Sequence, residues 1–390
     1  MHTRLPILGF AALALLAIAV ACGGGLPKPT APGAATPPPI PVPTPFPGIT
    51  SEVVVPNADH ADALAFAPDG RLFYAEQNTG AVRIVSAQGE LLSAPFVQTQ
   101  IAAGPGWGLL GLALDPDFAS NQYVYLYLTK PVGTGKAQPV VVRYTDANNK
   151  GTNLTTIIDD FPEATLYGVY AVGGDLRFGP DGYLYITVGD HISTDLAQNL
   201  GSVRGKILRV EKAAGSAPSD NPFVGRADAD PRVFAYGFLD PHDITFDRQT
   251  GDPYVTENGT YFCCDEVNIV RKGQDHGWPK IGQDQTGVLP IYYFTFPGSE
   301  PGSTKLSPEG IEFASASAYP ALGDSLLACE GATKYMRRLV LSANRSKVVS
   351  DDVVVGDCNL DIAAGPNGTI YYSNETEIRR LVTVESPAAE

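Results

Sequence analysis

Methionine and tryptophan are scarce, with two of each in 390 residues, and histidine and cysteine occur five times each. Positive charge is also short: 27 Lys and Arg against 42 Asp and Glu leave a net charge of −15. That deficit excludes a diffuse cationic surface, and with it nucleic acid and anionic lipid surfaces as partners. The sequence carries no phosphate-cradling Gly-rich loop, no Ser-His-Asp order and no Cys-His dyad. No histidine sits at finger-like spacing from the cysteines, which argues against zinc. The only long uncharged apolar run is residues 5–21, shorter than the roughly 20 residues that span a bilayer as a helix. What is abundant is 41 Gly, 33 Pro, 18 Tyr and 16 Phe, a composition that suits many short strands and turns. An all-β protein with a substantial core is expected.

Arg4 followed by the apolar run and the small residues Ala19-Val20-Ala21 reads as a signal peptide over residues 1–21. Ala19-Val20-Ala21-Cys22 resembles a bacterial lipobox, in which the cysteine becomes the lipidated first residue. Ordinary secretory cleavage nearby is the alternative. Both place the protein outside the cytoplasm, lipid-anchored to a cell-envelope membrane or secreted, and the anchor is its only expected membrane contact. Residues 22–48 form the lipidated cysteine and a tether, because ten prolines within residues 23–48 favour extended polyproline II. At about 3.1 Å per residue the tether reaches up to roughly 80 Å. The folded domain is expected over 49–385, with a tail at 386–390. Once Cys22 is set aside, Cys263, Cys264, Cys329 and Cys358 allow three pairings in an oxidising compartment. Joining neighbours 263 and 264 needs a strained eight-membered ring, so crossed pairing with Cys329 and Cys358 is expected.

One unit recurs six times: an apolar alternation, a turn rich in Pro, Asp and Gly, then an aromatic-rich alternation. The copies begin at Leu64 (LAFAPDGRLFYAE), Leu112, Leu176 (LRFGPDGYLYITVGD), Ile244, Ile311 and Ile362 (IAAGPNGTIYYSNE). Period two, a tight turn and period two again make a hairpin. A hairpin repeated at nearly regular spacing makes the blades of a six-bladed β-propeller, which buries both faces of each sheet and hides most edges.

The chain resembles the glucose/sorbosone dehydrogenase family, the soluble aldose sugar dehydrogenases, from about Asn57 to Leu381. The segments that carry the resemblance are Gly108-Leu109-Leu110-Gly111-Leu112-Ala113-Leu114, GGDLRFGPDGYLYITVGD from Gly173, AQNLGSVRGKILRV from Ala197, FAYG at Phe234, TENG at Thr256, DEVNIV from Asp265 and GWP at Gly277. The resemblance implies a propeller that binds pyrroloquinoline quinone (PQQ) over calcium and oxidises a small polar sugar; separately, a monomer is expected. In such enzymes a histidine takes the proton of the sugar hydroxyl while hydride passes to the quinone.

Residue by residue, this sequence departs from that pattern. Ala171 stands where the family has its histidine base, and Gly106 where it has Gln or Glu. Gly237-Phe238-Leu239-Asp240-Pro241-His242-Asp243 replaces a segment with a quinone-holding Arg and Asn, so Asp240 takes a cofactor-facing place without a cation. The family's C-terminal Arg-x-Arg-Asp reads here Cys358-Asn359-Leu360-Asp361, without either arginine, and the family's lysine falls near Ala332, with Lys334 two residues away. Arg177, Arg204, Lys206 and Arg337 read as ordinary blade surface. Losing three cations opposite a tricarboxylate argues against the family's quinone pose. Calcium is expected at Glu257, Gly259, Thr260 and Asp265, matching the family's calcium loop. His242 is the candidate catalytic base, His60 and His191 lie in blade-edge loops, and His276 packs in a turn. Two functions remain open: a sugar dehydrogenase with a rebuilt site, and a catalytically degenerate propeller that grips a carbohydrate, an envelope component or a protein.

Overall fold

The computed structural model describes residues 46–165, 171–260, 265–280, 287–295 and 305–384. The signal peptide, nearly all of the tether, the tail, Cys263 and Cys264 lie outside the described residues.

Six antiparallel sheets form a six-bladed propeller with almost no helix. The innermost strands are Ala61–Phe66, Leu109–Leu114, Gly173–Phe178, Pro241–Phe246, Pro308–Phe313 and Ile362–Ala364. Each packs against the next around a closed ring. All six sequence repeats supply the inner hairpin of a blade. Their turns explain the recurring glycine: Gly70, Gly182, Gly251, Gly323 and Gly368 all have positive φ, which costs a residue without a Cβ least. Blade 2 turns instead through a short helix, Phe118–Asn121, ending at left-handed Gln122. The ring closes because Ile49–Pro56, from the N-terminal side, pairs with Glu377–Thr383 as the outer strand of the sixth blade.

Two devices join the blades near the axis. Hydroxyls on the second strands donate to carbonyls of the next inner strand: Thr187 to His242 O (3.1 Å), Thr256 to Glu309 O (2.6 Å) and Ser373 to Ala61 O (2.7 Å). Carboxylates on the inner strands accept main-chain N–H groups of the next blade: Asp175 from Ile244, Asp243 from Ile311 and Asp361 from Leu64. Gly111 belongs to the same packing, since a Cβ there would stand 2.2 Å from the Gly174 carbonyl of blade 3.

Five inner strands share a register shift at their first residues, between Ala61/Ala63, Leu109/Gly111, Gly173/Leu176, Pro241/Ile244 and Pro308/Ile311. A bulge breaks the in-out alternation, so consecutive residues face the axis. This shift builds the site.

The structure corrects the expected cysteine pairing. Cys329 is bonded to Cys358, with their Cα atoms 5.1 Å apart. Cys329 lies in the strand Leu326–Glu330, and the Cys358 N–H donates to Lys334 O (3.0 Å) in the turn that follows that strand, which brings the two together. The bond therefore ties blade 5 to the connection into blade 6, and neither cysteine is left for the Glu257–Thr260 loop. Three of the four basic residues read as blade surface are also corrected. Lys206 is fully buried, its ammonium donating to Leu196 O, Ala197 O and Arg204 O at 2.9, 2.9 and 2.7 Å. Burial pushes its pKa down to about 7. Arg337 is buried against Glu330 (2.6 Å), and Arg177 reaches toward Glu312 (3.5 Å) near the axis.

Candidate functional site at the channel mouth

At one end of the axis the strand starts open into a cavity of about 630 Å³. That is within the range of small-molecule sites, about 300–1,000 Å³. Its floor is made by the residues two positions before five of the six repeats: Asp62, Leu110, His242, Glu309 and Leu360 all line it. The next residues along, Asp175, Asp243, Gly310 and Asp361, line the narrow channel beneath. The walls come from loops and include His60, Gln77, Asn78, Gly104 to Gly106, Asp240, Asn258, Lys305 and Ser307.

His242 and Glu309 form the central pair, Nε2 to Oε2 at 2.7 Å, with side chains 29% and 18% exposed. Burial alone would lower the imidazole pKa. The Glu309 carboxylate outweighs it, with Asp240 and Asp62 adding to the field, and raises the value to about 10. At neutral pH His242 is therefore an imidazolium: it can donate a proton but cannot act as the resting base expected of it. His60 goes the other way, because burial lowers its pKa despite Glu375, Glu309 and Asp59. It is the neutral imidazole of the cavity wall. Burial raises Asp62 to about 7 and Asp240 to about 6, each partly offset by His242. Asp240 Oδ1 accepts the Gly173 N–H (3.0 Å).

The other expected residues are placed as follows. Ala171 is buried behind the wall, with its carbonyl accepting the His191 N–H (2.9 Å). His191 packs edge-on against Trp107, and neither of its ring nitrogens has a hydrogen-bond partner. His276 stacks on Phe238, in agreement with turn packing. Lys334 does not line the cavity; its ammonium pairs with Glu375 at 2.8 Å. Asp265 organises the loop from within: Oδ1 accepts the Gly259 N–H (2.9 Å), and Oδ2 accepts from Leu306 and from Ser307 (2.9 Å). Glu257 accepts the Leu239 N–H with Oε1 (2.6 Å) and faces Glu266 across adjacent strands. Asn268 Nδ2 donates to both, at 3.1 and 3.0 Å. Burial and each other's charge raise Glu257 well above the ordinary range, while burial raises Glu266 to about 7. Asn258 Oδ1 and Asn268 Oδ1 are buried without a hydrogen-bond partner.

The residues that sequence reasoning passed over are Asp62, Glu309 and Lys305, while Asn258 and Glu266 lay in the expected calcium loop without being named as ligands. Asp62 and Glu309 carried a signal, since they occupy the position that His242 occupies in its own repeat.

The Glucose / Sorbosone dehydrogenase family matches residues 58–383. The aldose sugar dehydrogenase YliI of Escherichia coli K12 is 29% identical over 361 residues, 86% of this chain and 92% of its own. A glucose dehydrogenase crystal structure superposes with a TM-score of 0.76 at 26% identity, covering 86% of this chain and all of that one. The PQQ-bound aldose sugar dehydrogenase of Streptomyces coelicolor shares the fold, with a TM-score of 0.69 at 22% identity over 87% of this chain and 99% of its own.

Proposed function

The chain belongs to the glucose/sorbosone dehydrogenase family, and on that premise we propose that its channel-mouth cavity binds a small polyhydroxylated sugar. The observation that carries this reading is the His242–Glu309 pair on the cavity floor, ringed by Gln77, Asn78, Asp240, Asn258 and Ser307. Sugar hydroxyls donate and accept, and this wall offers both kinds of partner. His242 holds a proton toward a sugar oxygen, Glu309 fixes the imidazolium, and neutral His60 can accept a hydroxyl proton.

Calcium fits the chemistry beside the cavity. Glu257 and Glu266 face each other without a cation, and two amide oxygens nearby are orphaned. This is a hard, all-oxygen donor set. Glu257 of the expected loop and Glu266 would hold the ion, with Asn258 and Asn268 supplying amide oxygens. Asp265 serves the loop, and Gly259 and Thr260 contribute carbonyls at most. Bound there, calcium supplies a fixed positive charge at the cavity edge.

PQQ does not fit in the family's expected pose. It carries three carboxylates, and the cavity offers His242 and Lys305 as cations against Asp62, Asp240 and Glu309. The undescribed internal segments, 166–170, 261–264, 281–286 and 296–304, contain no Lys, Arg or His. We further propose that the chain acts as a monomer outside the cytoplasm, with residues 1–21 as signal, Cys22 as lipid anchor, 22–48 as tether and 49–385 as propeller.

Calorimetry on the full chain with glucose and other aldoses, with and without calcium, tests the reading. Saturable sugar binding that His242→Ala abolishes is expected, together with no PQQ binding at tens of micromolar. Tight PQQ binding with sugar-dependent dye reduction would contradict the cofactor assignment, and no sugar binding would contradict the sugar site.

A further inference from the structure

Two imidazoles line the channel-mouth cavity, and they hold opposite protonation states. His242 is the acid. Its charge is set by Glu309, Asp240 and Asp62, with Lys305 on the same cavity wall. An imidazolium carries a proton on each ring nitrogen. Nε2 is committed to Glu309 at 2.7 Å, and the side chain is 29% exposed, so Nδ1–H is the proton left for a ligand.

His60 is the base. The backbone fixes it on both sides: its N–H donates to Glu375 O (2.9 Å), and its carbonyl accepts the Gln77 N–H (3.0 Å). Between those bonds it holds a φ of 52°, a left-handed conformation that is uncommon outside glycine and marks a side chain set in place. Its ring enters no hydrogen bond or ion pair among the described residues. Asp59, Glu309 and Glu375 surround it, the last paired with Lys334 at 2.8 Å, and burial still keeps it neutral.

A neutral base and a protonated acid in one cavity can move two protons without any oxidant or cofactor. Exchange of the anomers of a cyclic aldose makes that demand. The hydroxyl O1–H gives up its proton, the freed electron pair completes the C1=O1 carbonyl, the C1–O5 bond breaks, and its electron pair on O5 takes up a proton. O1 and O5 share C1, so one seated sugar presents both to the cavity walls. After C1 turns its other face, the same two groups work in reverse: the acid's nitrogen recovers the O5 proton, the ring closes, and the base returns its proton to O1.

Resting on the sugar-site reading above, we propose that the protein interconverts the α and β anomers of an aldose, with His60 taking the O1 proton and His242 Nδ1 giving one to the ring oxygen. Glu309 is a positioning residue that holds the imidazolium.

The test is polarimetry of freshly dissolved α-glucose with the full chain near neutral pH, beside calorimetry of the same sugar. Relaxation should speed up in proportion to protein concentration. A positioned general base contributes about 10²- to 10⁴-fold, so His60→Asn, which suits the left-handed backbone but takes no proton, should lower the protein-dependent rate at saturating sugar about 100-fold or more. Thermal melts show whether that variant is folded. The wild-type rate should fall as pH drops below 6.5 and His60 is protonated, and hold on the alkaline side until His242 titrates near 10. Glu309→Gln should pull the alkaline limit down to about 7, which loss of structure alone would not do. Sugar binding without a protein-dependent rate, a rate that survives His60→Asn, or an alkaline limit unmoved by Glu309→Gln overturns the proposal. Failure of the sugar to bind overturns the sugar site itself, which keeps the two outcomes distinct.

Discussion

Replacing Glu309 with Gln perturbs the cavity at one atom pair. The wild-type imidazolium is held by a carboxylate at 2.7 Å, which raises its pKa from 6.5 to about 10 against the opposing effect of burial. At about 1.36 kcal/mol per pH unit, the rise corresponds to roughly 5 kcal/mol of gross interaction. Much of that is offset. Glu309 is itself partly desolvated, and its charge raises the pKa of Asp62 and Asp240, so its removal relieves both. A net loss of about 1.5–3 kcal/mol near neutral pH is expected, the range for charged hydrogen bonds. The pH dependence fixes the sign. A raised histidine pKa contributes stability that is complete below pH 6.5 and lost as pH climbs through about 10. The wild type should therefore lose stability between those limits, and Glu309→Gln should flatten that slope. Imidazole titration by NMR is the direct assay: the His242 midpoint should stand near 10 in the wild type and below about 7 in the variant. A wild-type midpoint already at or below about 7 would refute the electrostatic argument.

Two predictions concern the scaffold. Lys206→Met should cost about 2–4 kcal/mol in chemical denaturation, because three buried carbonyls lose their donor; a variant as stable as wild type would show that water replaces the ammonium. Removing the Cys329–Cys358 bond, which spans 29 residues, should lower stability by roughly 3–4 kcal/mol in the chain-entropy account. Cys329→Ala and Cys358→Ala should then show equal losses, and unequal ones would point to packing instead.

The architecture was legible because each blade repeats the same local problem. A turn that needs positive φ recurs as Gly70, Gly182, Gly251, Gly323 and Gly368, and turn chemistry is local. The site was legible only in part. Asp240 and His242 were found and do face the cavity. Asp62 and Glu309 were missed because period-two reasoning assigns one residue in two to a face, whereas the bulges turn consecutive residues toward the axis. The repeat register would have found them. The cysteine pairing depended on a contact between a strand of blade 5 and a connection 29 residues later, which spacing alone does not encode. Likewise the choice of Asp265 over Glu266 as a cation ligand turned on which carboxylate the backbone had already claimed. Asp265 is occupied by main-chain N–H groups, while Glu266 faces Glu257.

The most direct test of the central claim is a crystal structure of the full chain grown with an aldose and calcium. The account predicts the sugar against His242, Glu309 and Asp240 at the channel mouth. Sugar bound elsewhere, or that mouth filled by PQQ in the presence of the quinone, would contradict it.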